Sequence, residues 1–280
     1  MVLCFVGFMI MGQHEEIIGQ NEEEKSYTSA ELNYISDAVF MGRKDSVTAP
    51  YLYPSIVYHN KSGFYAKGSF SYLTKPDDSR IDLFLLSSGI DFTWNKLFGD
   101  FSVTKYFFNE KSYNVISDVT ADITADFIYD FDVLNVEMAA STYFNKNSSS
   151  DFFLTLGLRH DFITSNTKFQ FSPGLEVNWG SQNFYQEYYN KVIKGNGSGA
   201  MSGNPLNTDT IITIQENEKF NIMSVEFSVP MWYNYKAASF LFLPAFVIPQ
   251  SEAKIIIGET LVEEQLKETF YWVIGFSYKF

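Results

Sequence analysis

The last twelve residues of the chain, from Thr269 to Phe280, restrict the possible folds more than any other stretch. Every second position holds a large apolar residue, and the positions between them are mostly small or polar. Because successive side chains of a β-strand point to opposite faces, this alternation predicts a strand with one aromatic face and one polar face. The aromatic face consists of Phe270, Trp272, Ile274, Phe276, Tyr278 and Phe280.

This strand resembles the terminal strand of Gram-negative outer-membrane β-barrels, whose aromatic last residue belongs to the signal read by the barrel-assembly machinery. The resemblance implies a location in the bacterial outer membrane, contact between the aromatic face and lipid, and an assembly role for the side chains of that face. A soluble half-buried strand shows the same alternation, so the prediction depends on whether the pattern recurs upstream.

Composition excludes several other classes of protein. The formal net charge of −13 argues against a nucleic-acid partner, which requires a basic surface to neutralise phosphates. Cys4 is the only cysteine and there are three histidines, so we expect neither a disulfide framework nor a zinc site. No apolar run is long enough for a transmembrane helix. The sequence therefore predicts no metal and no other cofactor.

The N-terminal region is expected to precede the barrel. Residues 1–12 begin with an apolar run typical of a secretory signal segment, although no Lys or Arg precedes that run. A start upstream of Met1 would account for this difference. Residues 13–29 are acidic and weakly apolar, which favours a flexible periplasmic lead-in. The barrel is then expected over residues 30–280.

Alternating segments recur from residue 30 onward, each about ten to fourteen residues long, which is the span of tilted membrane strands. Aromatic residues near their ends suit the interfacial girdles of a membrane barrel. The predicted strands cover residues 30–41, 50–59, 64–74, 81–94, 99–109, 117–131, 134–146, 151–164, 167–180, 220–235, 238–248 and 268–280.

Three of these segments make particular predictions. In segment 117–131 the alternation places Val119 on the lipid face, and in 220–235 it places Met223 there. Segment 238–248 differs from the others because it is apolar on both faces.

Connection lengths support an even number of strands. If Phe280 ends in the periplasm, the two longest connections, 181–219 and 249–267, both lie outside, whereas the inside connections are short. Outer-membrane barrels show this asymmetry. In lipid every backbone polar group must be paired, so the sheet must close. The sequence therefore predicts an all-β fold, a transmembrane antiparallel up-and-down β-barrel of about twelve strands; a secreted β-sandwich is the alternative.

A second resemblance concerns the opening hairpin. Residues 40–46 (FMGRKDS), 51–58 and 61–64 look like the opening hairpin of poorly characterised outer-membrane barrels from Bacteroidota. This likeness implies an outer-membrane setting and brings no catalytic residues with it.

Side chains of the opposite parity are expected to line the lumen, and most of the charged ones are acidic. Two interpretations fit: a packed interior in which acids pair with bases, as in small barrels, or a pore wall that favours cations. Four aspartates at every fourth position would form a column along one strand. The predicted lumen residues are Asp118, Asp122, Asp126, Asp130, Glu137, Arg159, Asp161, Lys168, Glu176 and Glu226, together with Asp91, Lys67 and Lys279.

The connection 181–219 predicts a hairpin that projects beyond the membrane and has a glycine-rich tip at 195–203. Its tyrosines, Tyr185, Tyr188 and Tyr189, would bind a ligand or partner, or would only support the hairpin. Phosphate binding by the glycines is not expected because no helix follows them.

Three functions remain open from the sequence. We favour passive, porin-like passage of small solutes with a weak preference for cations. The first alternative is a structural or surface-binding barrel with a plugged lumen, which would use the 181–219 hairpin. The second is a lipid-acting enzyme; outer-membrane phospholipases and lipid A deacylases resemble this class in size and use a Ser–His pair on the barrel wall. His160 has lipid-facing parity but no matching serine, so no catalytic residue is assigned.

Overall fold

Most of the described chain forms antiparallel β-strands. The computed structural model describes residues 25–45, 48–185, 212–215, 218–257, 260–264 and 266–280. The predicted signal segment 1–12 and the first part of the predicted lead-in lie outside these ranges. No helix within them is long and apolar enough to span a membrane. In chain order the strands are β1 (Tyr27–Ile35), β2 (Tyr51–His59), β3 (Phe64–Leu73), β4 (Arg80–Trp94), β5 (Leu97–Phe108), β6 (Val119–Asp130), β7 (Asn135–Asn145), β8 (Asp151–Arg159), β9 (Phe162–Ile163), β10 (Phe169–Phe171), β11 (Gly174–Gly180), β12 (Ile212–Gln215), β13 (Asn221–Ser228), β14 (Met231–Tyr235), β15 (Ala238–Pro249), β16 (Lys254–Ile257), β17 (Thr260–Glu263) and β18 (Thr269–Lys279).

The main sheet closes into a twelve-stranded antiparallel barrel, which confirms the predicted fold class. β1 pairs with β18, and β13 pairs with both β11 and β15, so the ring is complete. Three wall strands are each split in two: β8 with β9, β10 with β11, and β13 with β14. Pro173 and Pro230 lie in two of these breaks, where a residue without an N–H interrupts the hydrogen-bonded ladder. β12, β16 and β17 form a separate three-stranded sheet.

The outside of the barrel is covered by apolar side chains. In β18, Phe270, Ile274 and Phe276 are exposed, whereas Tyr271 and Val273 between them are buried. The predicted aromatic face of this strand therefore points outward. A closed ladder with an apolar exterior leaves no backbone polar group to face hydrocarbon, so the surface suits a lipid bilayer.

Short turns join the strands at one end of the barrel, and longer connections join them at the other. Asn95 and Lys236 adopt positive φ values of 56° and 55°, as tight hairpin turns require. Because outer-membrane barrels keep their short turns in the periplasm, we call this the periplasmic end and the opposite end the extracellular end. The short connections are 60–63, 95–96, 131–134, 164–168 and 236–237.

Three β-bulges near the extracellular end change which way side chains point. The register shifts opposite Ser71–Tyr72, at Val119–Ala121 and opposite Asn178–Trp179. An inserted residue inverts the alternation beyond it. Asp82, Val119 and Met223 are consequently buried inside the barrel. The predictions that Val119 and Met223 face lipid were wrong for this reason.

The first strand is also shorter at its outer end than predicted. The alternation suggested 30–41, but β1 ends at Ile35. The chain beyond it turns into the barrel, so that Phe40 and Met41 are buried in the interior. Their apolar character, which extended the predicted strand, belongs to an internal loop.

Candidate functional site

The extracellular half of the lumen contains the described residues of the β1–β2 connection, 36–45 and 48–50, which we call the plug loop. Its tip is a two-residue turn in which the N–H groups of Phe40 and Arg43 each donate to the other residue's carbonyl at 2.8 Å. Met41 and Gly42 at its centre have φ values of 50° and 77°. Two positive φ values and reciprocal bonds are typical of a type I′ turn.

Aromatic side chains surround this turn. The Phe40 ring lies 5.7 Å from that of Tyr143, 5.3 Å from Phe153 and 5.2 Å from Phe184, measured between centroids. The contacts with Phe153 and Phe184 are edge-to-face, an arrangement that stabilises packing beyond the apolar area that it buries. We call this group the plug cluster; it also includes Met41, Leu83, Leu85, Tyr106, Val119, Met223 and Ile255.

A second apolar cluster fills the remaining side of the lumen. It joins Val39 of the plug loop to Leu243 and Val247 of β15 and to Val273 of β18. Segment 238–248 was predicted to be apolar on both faces, and the inner apolar face of this strand, β15, packs against other side chains. Between them the two clusters close the extracellular half of the lumen with packed side chains.

Gly42 allows the turn to approach the wall closely. A Cβ atom at this position would lie 2.8 Å from Cβ of Pro249 and 3.2 Å from Cβ of Ser224. The positive φ value and the close approach both require glycine here.

Arg43 holds the plug loop to the extracellular connections. Its guanidinium is buried, with Nη2 donating to the carbonyl of Ser251 at 2.8 Å and Nη1 donating to that of Met41 at 3.2 Å. Glu264 Oε2 lies 3.8 Å from Nη2, and the guanidinium carbon lies 5.4 Å from the centroid of the Tyr185 ring. A buried guanidinium needs such partners, because leaving it unpaired would cost several kcal/mol.

Glu264 connects the pocket of Arg43 to its surroundings. Its Oε1 accepts a hydrogen bond from the Tyr185 hydroxyl at 2.5 Å, and its Oε2 accepts one from the Ala253 N–H at 3.0 Å. Tyr185, at the base of the predicted hairpin, is therefore buried and helps to close the lumen. Tyr188 and Tyr189, predicted with it, lie outside the described residues.

Below the plug, carboxylates face one another across neighbouring strands. Asp100 stands opposite Asp126, and Glu176 stands opposite Glu226. Glu137 and Glu176 flank Gly157, where a Cβ would lie 3.2 Å from Cβ of Glu137 and 3.4 Å from Cγ of Glu176. We call this group the acidic belt; it consists of Asp100, Asp126, Glu137, Glu176 and Glu226.

The acidic belt is only partly compensated. Tyr65 donates to Asp100 Oδ1 at 3.3 Å, and Tyr271 donates to Glu226 Oε1 at 2.6 Å. Asp126 Oδ1 and Glu137 Oε1 are buried and accept no hydrogen bond from the described protein atoms. Burying carboxylates without donors or countercharges is costly, and a cation beside them would offset part of that cost.

Arg159 lies on β8, between the strands that carry Glu137 and Glu176. It stands opposite Gly174 on one side and Asn135 on the other, and its Nε lies 3.3 Å from Asp161 Oδ1. The belt therefore has one neighbouring guanidinium for five carboxyl groups. Within the described ranges, no group of three or more acidic, His or Cys side chains is arranged to hold a metal ion.

The fold can be compared with solved structures. The NanC porin matches 90% of this chain and 100% of its own, with a TM-score of 0.50 and 9% identity. An outer-membrane channel from Pseudomonas putida F1 matches 94% of this chain and 100% of its own, with a TM-score of 0.50 and 10% identity. The KdgM porin matches 90% of this chain and 99% of its own, with a TM-score of 0.49 and 10% identity.

The fold is that of a bacterial outer-membrane β-barrel. Its apolar exterior agrees with this, and the chain is a protein of the bacterial outer membrane. At these identities the likeness extends to the fold alone. No protein-family profile matches the sequence, and no curated protein matches it.

The outer-membrane barrel does not place all the predicted lumen aspartates in one column. Asp118 precedes β6, and the bulge at Thr120 separates it from that strand's regular alternation. Asp122 is buried and accepts hydrogen bonds from Tyr106 at 2.6 Å and from Thr124 at 2.9 Å. The prediction of a continuous column was therefore wrong.

Other predicted lumen residues lie at the periplasmic end. Asp130 accepts a hydrogen bond from the Asp132 N–H at 2.6 Å, as part of a turn. Lys168 is exposed just before β10, and Asp161 accepts a bond from Asn135 at 2.5 Å. The belt instead crosses half of the wall, from β5 to β13. Asp126, Glu137, Glu176 and Glu226 were predicted. Asp100 was missed because Lys105 lies among the outward apolar positions of segment 99–109 and makes its alternation irregular.

Proposed function

We propose that the protein provides a cation-preferring passage for small solutes across the outer membrane, and that the plug loop closes this passage in the structure described. The acidic belt is the observation that carries the proposal. Its carboxylates come from wall strands β5, β6, β7, β11 and β13, so they form an arc over one half of the wall rather than one local ion pair.

Electrostatics favours cations at the position of the acidic belt in the lumen. Unit charges interact several times more strongly in a protein interior than in bulk water, and rings of acidic side chains are a recurrent element of cation selectivity. Carboxylate oxygens that accept no hydrogen bond are ready to interact with a passing cation. Anions would meet the same field with the opposite sign.

The closure at the extracellular end determines how passage must be measured. With the plug cluster in place we expect little conductance from the wild-type barrel. A variant in which residues 38–48 are replaced by a short Gly–Ser linker removes the plug turn and retains β1 and β2. In planar bilayers this variant should conduct and should pass K⁺ better than Cl⁻.

The contribution of the acidic belt to ion selectivity is tested in the variant in which residues 38–48 are replaced. Glu176→Gln together with Asp126→Asn should move the reversal potential in a salt gradient towards the non-selective value, because fixed negative charge is removed from the lumen. Glu268→Gln is the matched control, since it removes a carboxylate from an exposed extracellular position. A barrel without the plug that conducts with unchanged selectivity in the belt variant would contradict the proposal.

A surface-binding barrel with a plugged lumen is the second candidate. The tight packing around Phe40 favours this second candidate, because a plug that never opens can pack as closely as a protein core. It predicts no conductance even after residues 38–48 are replaced. In that case deletion of 195–203, which lie outside the described residues, should abolish partner binding without changing barrel assembly.

We do not propose catalysis. His160 lies at the periplasmic end, where its Nδ1 pairs with the carbonyl of Val133. His59 pairs with Asp91 at 2.8 Å between Nε2 and Oδ2. The first contact reaches the β6–β7 turn and the second reaches from β2 past β3 to β4. Neither places a serine hydroxyl beside an imidazole on the lipid face.

A further inference from the structure

We propose that the pocket around Arg43 is a guanidinium-binding site, and that Arg43 acts as a latch whose occupancy of this site keeps the plug loop in the lumen. The inference rests on the proposed function, because it names how passage is regulated. It concerns a site formed by several segments at the extracellular mouth, with Arg43 as its built-in ligand.

The pocket has the chemistry that a guanidinium requires. Backbone carbonyls of Ser251 and Gln250 accept from Nη2 at 2.8 and 3.5 Å, and Met41 accepts from Nη1 at 3.2 Å. Tyr185 supplies an aromatic ring and Glu264 a carboxylate. A planar fork of donors matches this arrangement of acceptors better than a compact ammonium does.

The partners of Arg43 mostly belong to other parts of the chain. Gln250, Ser251 and Glu264 lie in the β15–β18 connection, and Tyr185 follows β11. Opening the plug must therefore break these bonds. The bonds of Arg43 tie the tip of the loop to the mouth of the barrel.

The polar contacts of Asp37, by comparison, are internal to the loop. Asp37 accepts from the Ala49 N–H at 2.9 Å and from Lys44 Nζ at 2.5 Å. These bonds join residues of the same loop, so they can move with it. Lys44 therefore stabilises the conformation of the loop itself, whereas Arg43 binds the loop to the rest of the barrel.

Two features oppose permanent closure. Arg43 Nε is buried without a hydrogen-bond partner among the described atoms, which leaves part of its desolvation uncompensated. Met41 holds φ at 50°, a left-handed conformation that is unfavourable for a residue other than glycine. Release of the loop relieves both, so the bonds of Arg43 act together with the packing of Phe40 to resist opening.

The test measures access to the wall beneath the plug. Leu85 is buried in the plug cluster on β4, so Leu85→Cys in a Cys4→Ser background gives a single thiol there. In the purified, folded barrel a water-soluble thiol reagent should label this cysteine slowly. Arg43→Ala should increase the labelling rate roughly tenfold or more, which corresponds to about 1.4 kcal/mol lost from the closed state.

Chemical rescue identifies the site. Methylguanidinium at a non-denaturing concentration should slow the labelling of the Arg43→Ala variant again, whereas methylammonium at equal ionic strength should not. Arg43→Lys should label at an intermediate rate. Lys44→Ala is the control and should label like the parent, because its bond lies within the loop.

The outcomes separate the latch from the passage. Unchanged labelling in folded Arg43→Ala, or acceleration without rescue by methylguanidinium, overturns the guanidinium site. Rapid labelling without conductance or selectivity supports the latch and overturns the proposed passage. Folding is checked by heat-modifiable gel mobility; if Arg43→Ala does not fold, Arg43→Met keeps the apolar stem and is measured in the same way.

Discussion

Asp126 on β6 stands directly opposite Asp100 on β5, and both side chains are buried inside the barrel. One oxygen of each carboxylate accepts no hydrogen bond from the described protein atoms. Like charges directly opposite each other on a sheet are destabilising. Keeping these two carboxylates opposite each other therefore costs the barrel stability.

Asp126→Asn should therefore stabilise the barrel. Removal of one of two facing negative charges should contribute roughly 1 kcal/mol and should raise the temperature at which the heat-modifiable band converts to the unfolded form. The matched control is Asp151→Asn, at a buried aspartate that accepts hydrogen bonds from Ser181, Asn145 and two backbone N–H groups. That change should cost on the order of 2 kcal/mol; equal shifts of the two variants would contradict the account of the belt.

Gly42→Val should prevent the plug turn from seating. Its side chain would collide with Pro249 and force a β-branched residue to a positive φ, which costs roughly 1–3 kcal/mol. Combined with Leu85→Cys, the substitution should make the introduced thiol react faster. Gly68→Ala is the control, because the nearest side-chain atom to an added Cβ is Leu86 Cδ2 at 3.8 Å. If Gly42→Val leaves the buried thiol protected, the turn is not the closing element.

Leu156→Arg tests the lipid-facing surface. Leu156 lies mid-strand on the exposed face of β8, where an arginine should cost roughly 2–4 kcal/mol. Thr155→Ser, one residue away on the inner face, retains the hydroxyl that donates to Asn178 at 2.7 Å and should be mild. A soluble product with wild-type stability for Leu156→Arg would contradict the membrane assignment.

Phe280→Ala should lower outer-membrane levels without lowering the stability of the molecules that assemble. The Phe280 residue is 75% exposed, while its backbone N–H donates to the carbonyl of Thr28 at 2.8 Å and closes the β1–β18 seam. The substitution keeps that bond and removes the aromatic side chain. Membrane fractionation combined with gel-shift temperature separates the effects; normal levels would reject an assembly role for the side chain.

Alternation in the sequence was sufficient to predict the barrel because lipid imposes the same rule on every wall strand. The outward faces around Phe276 and Leu156 follow that rule. The short periplasmic turns between the strands were predicted from the connection lengths. The interior follows no such rule, since it is filled by whatever side chains and loops pack there. Phe40 and Met41 therefore extended a predicted strand that in fact ends at Ile35.

Bulges limited the sequence analysis in a second way. A single inserted residue inverts the faces of a strand, and no local signal marks Thr120 or Met223 as insertions. The inner apolar face of β15 was the one visible indication that part of the lumen is packed. The pocket of Arg43 depends on contacts between distant segments, which residue patterns alone do not show.

The most direct test of the central claim is the reversal potential of the barrel lacking residues 38–48, measured in planar bilayers under a potassium chloride gradient. We predict an open conductance whose reversal potential shows a preference for K⁺, and a wild-type barrel that conducts little. A barrel without the plug that remains silent, or that conducts with a preference for Cl⁻, would contradict the account.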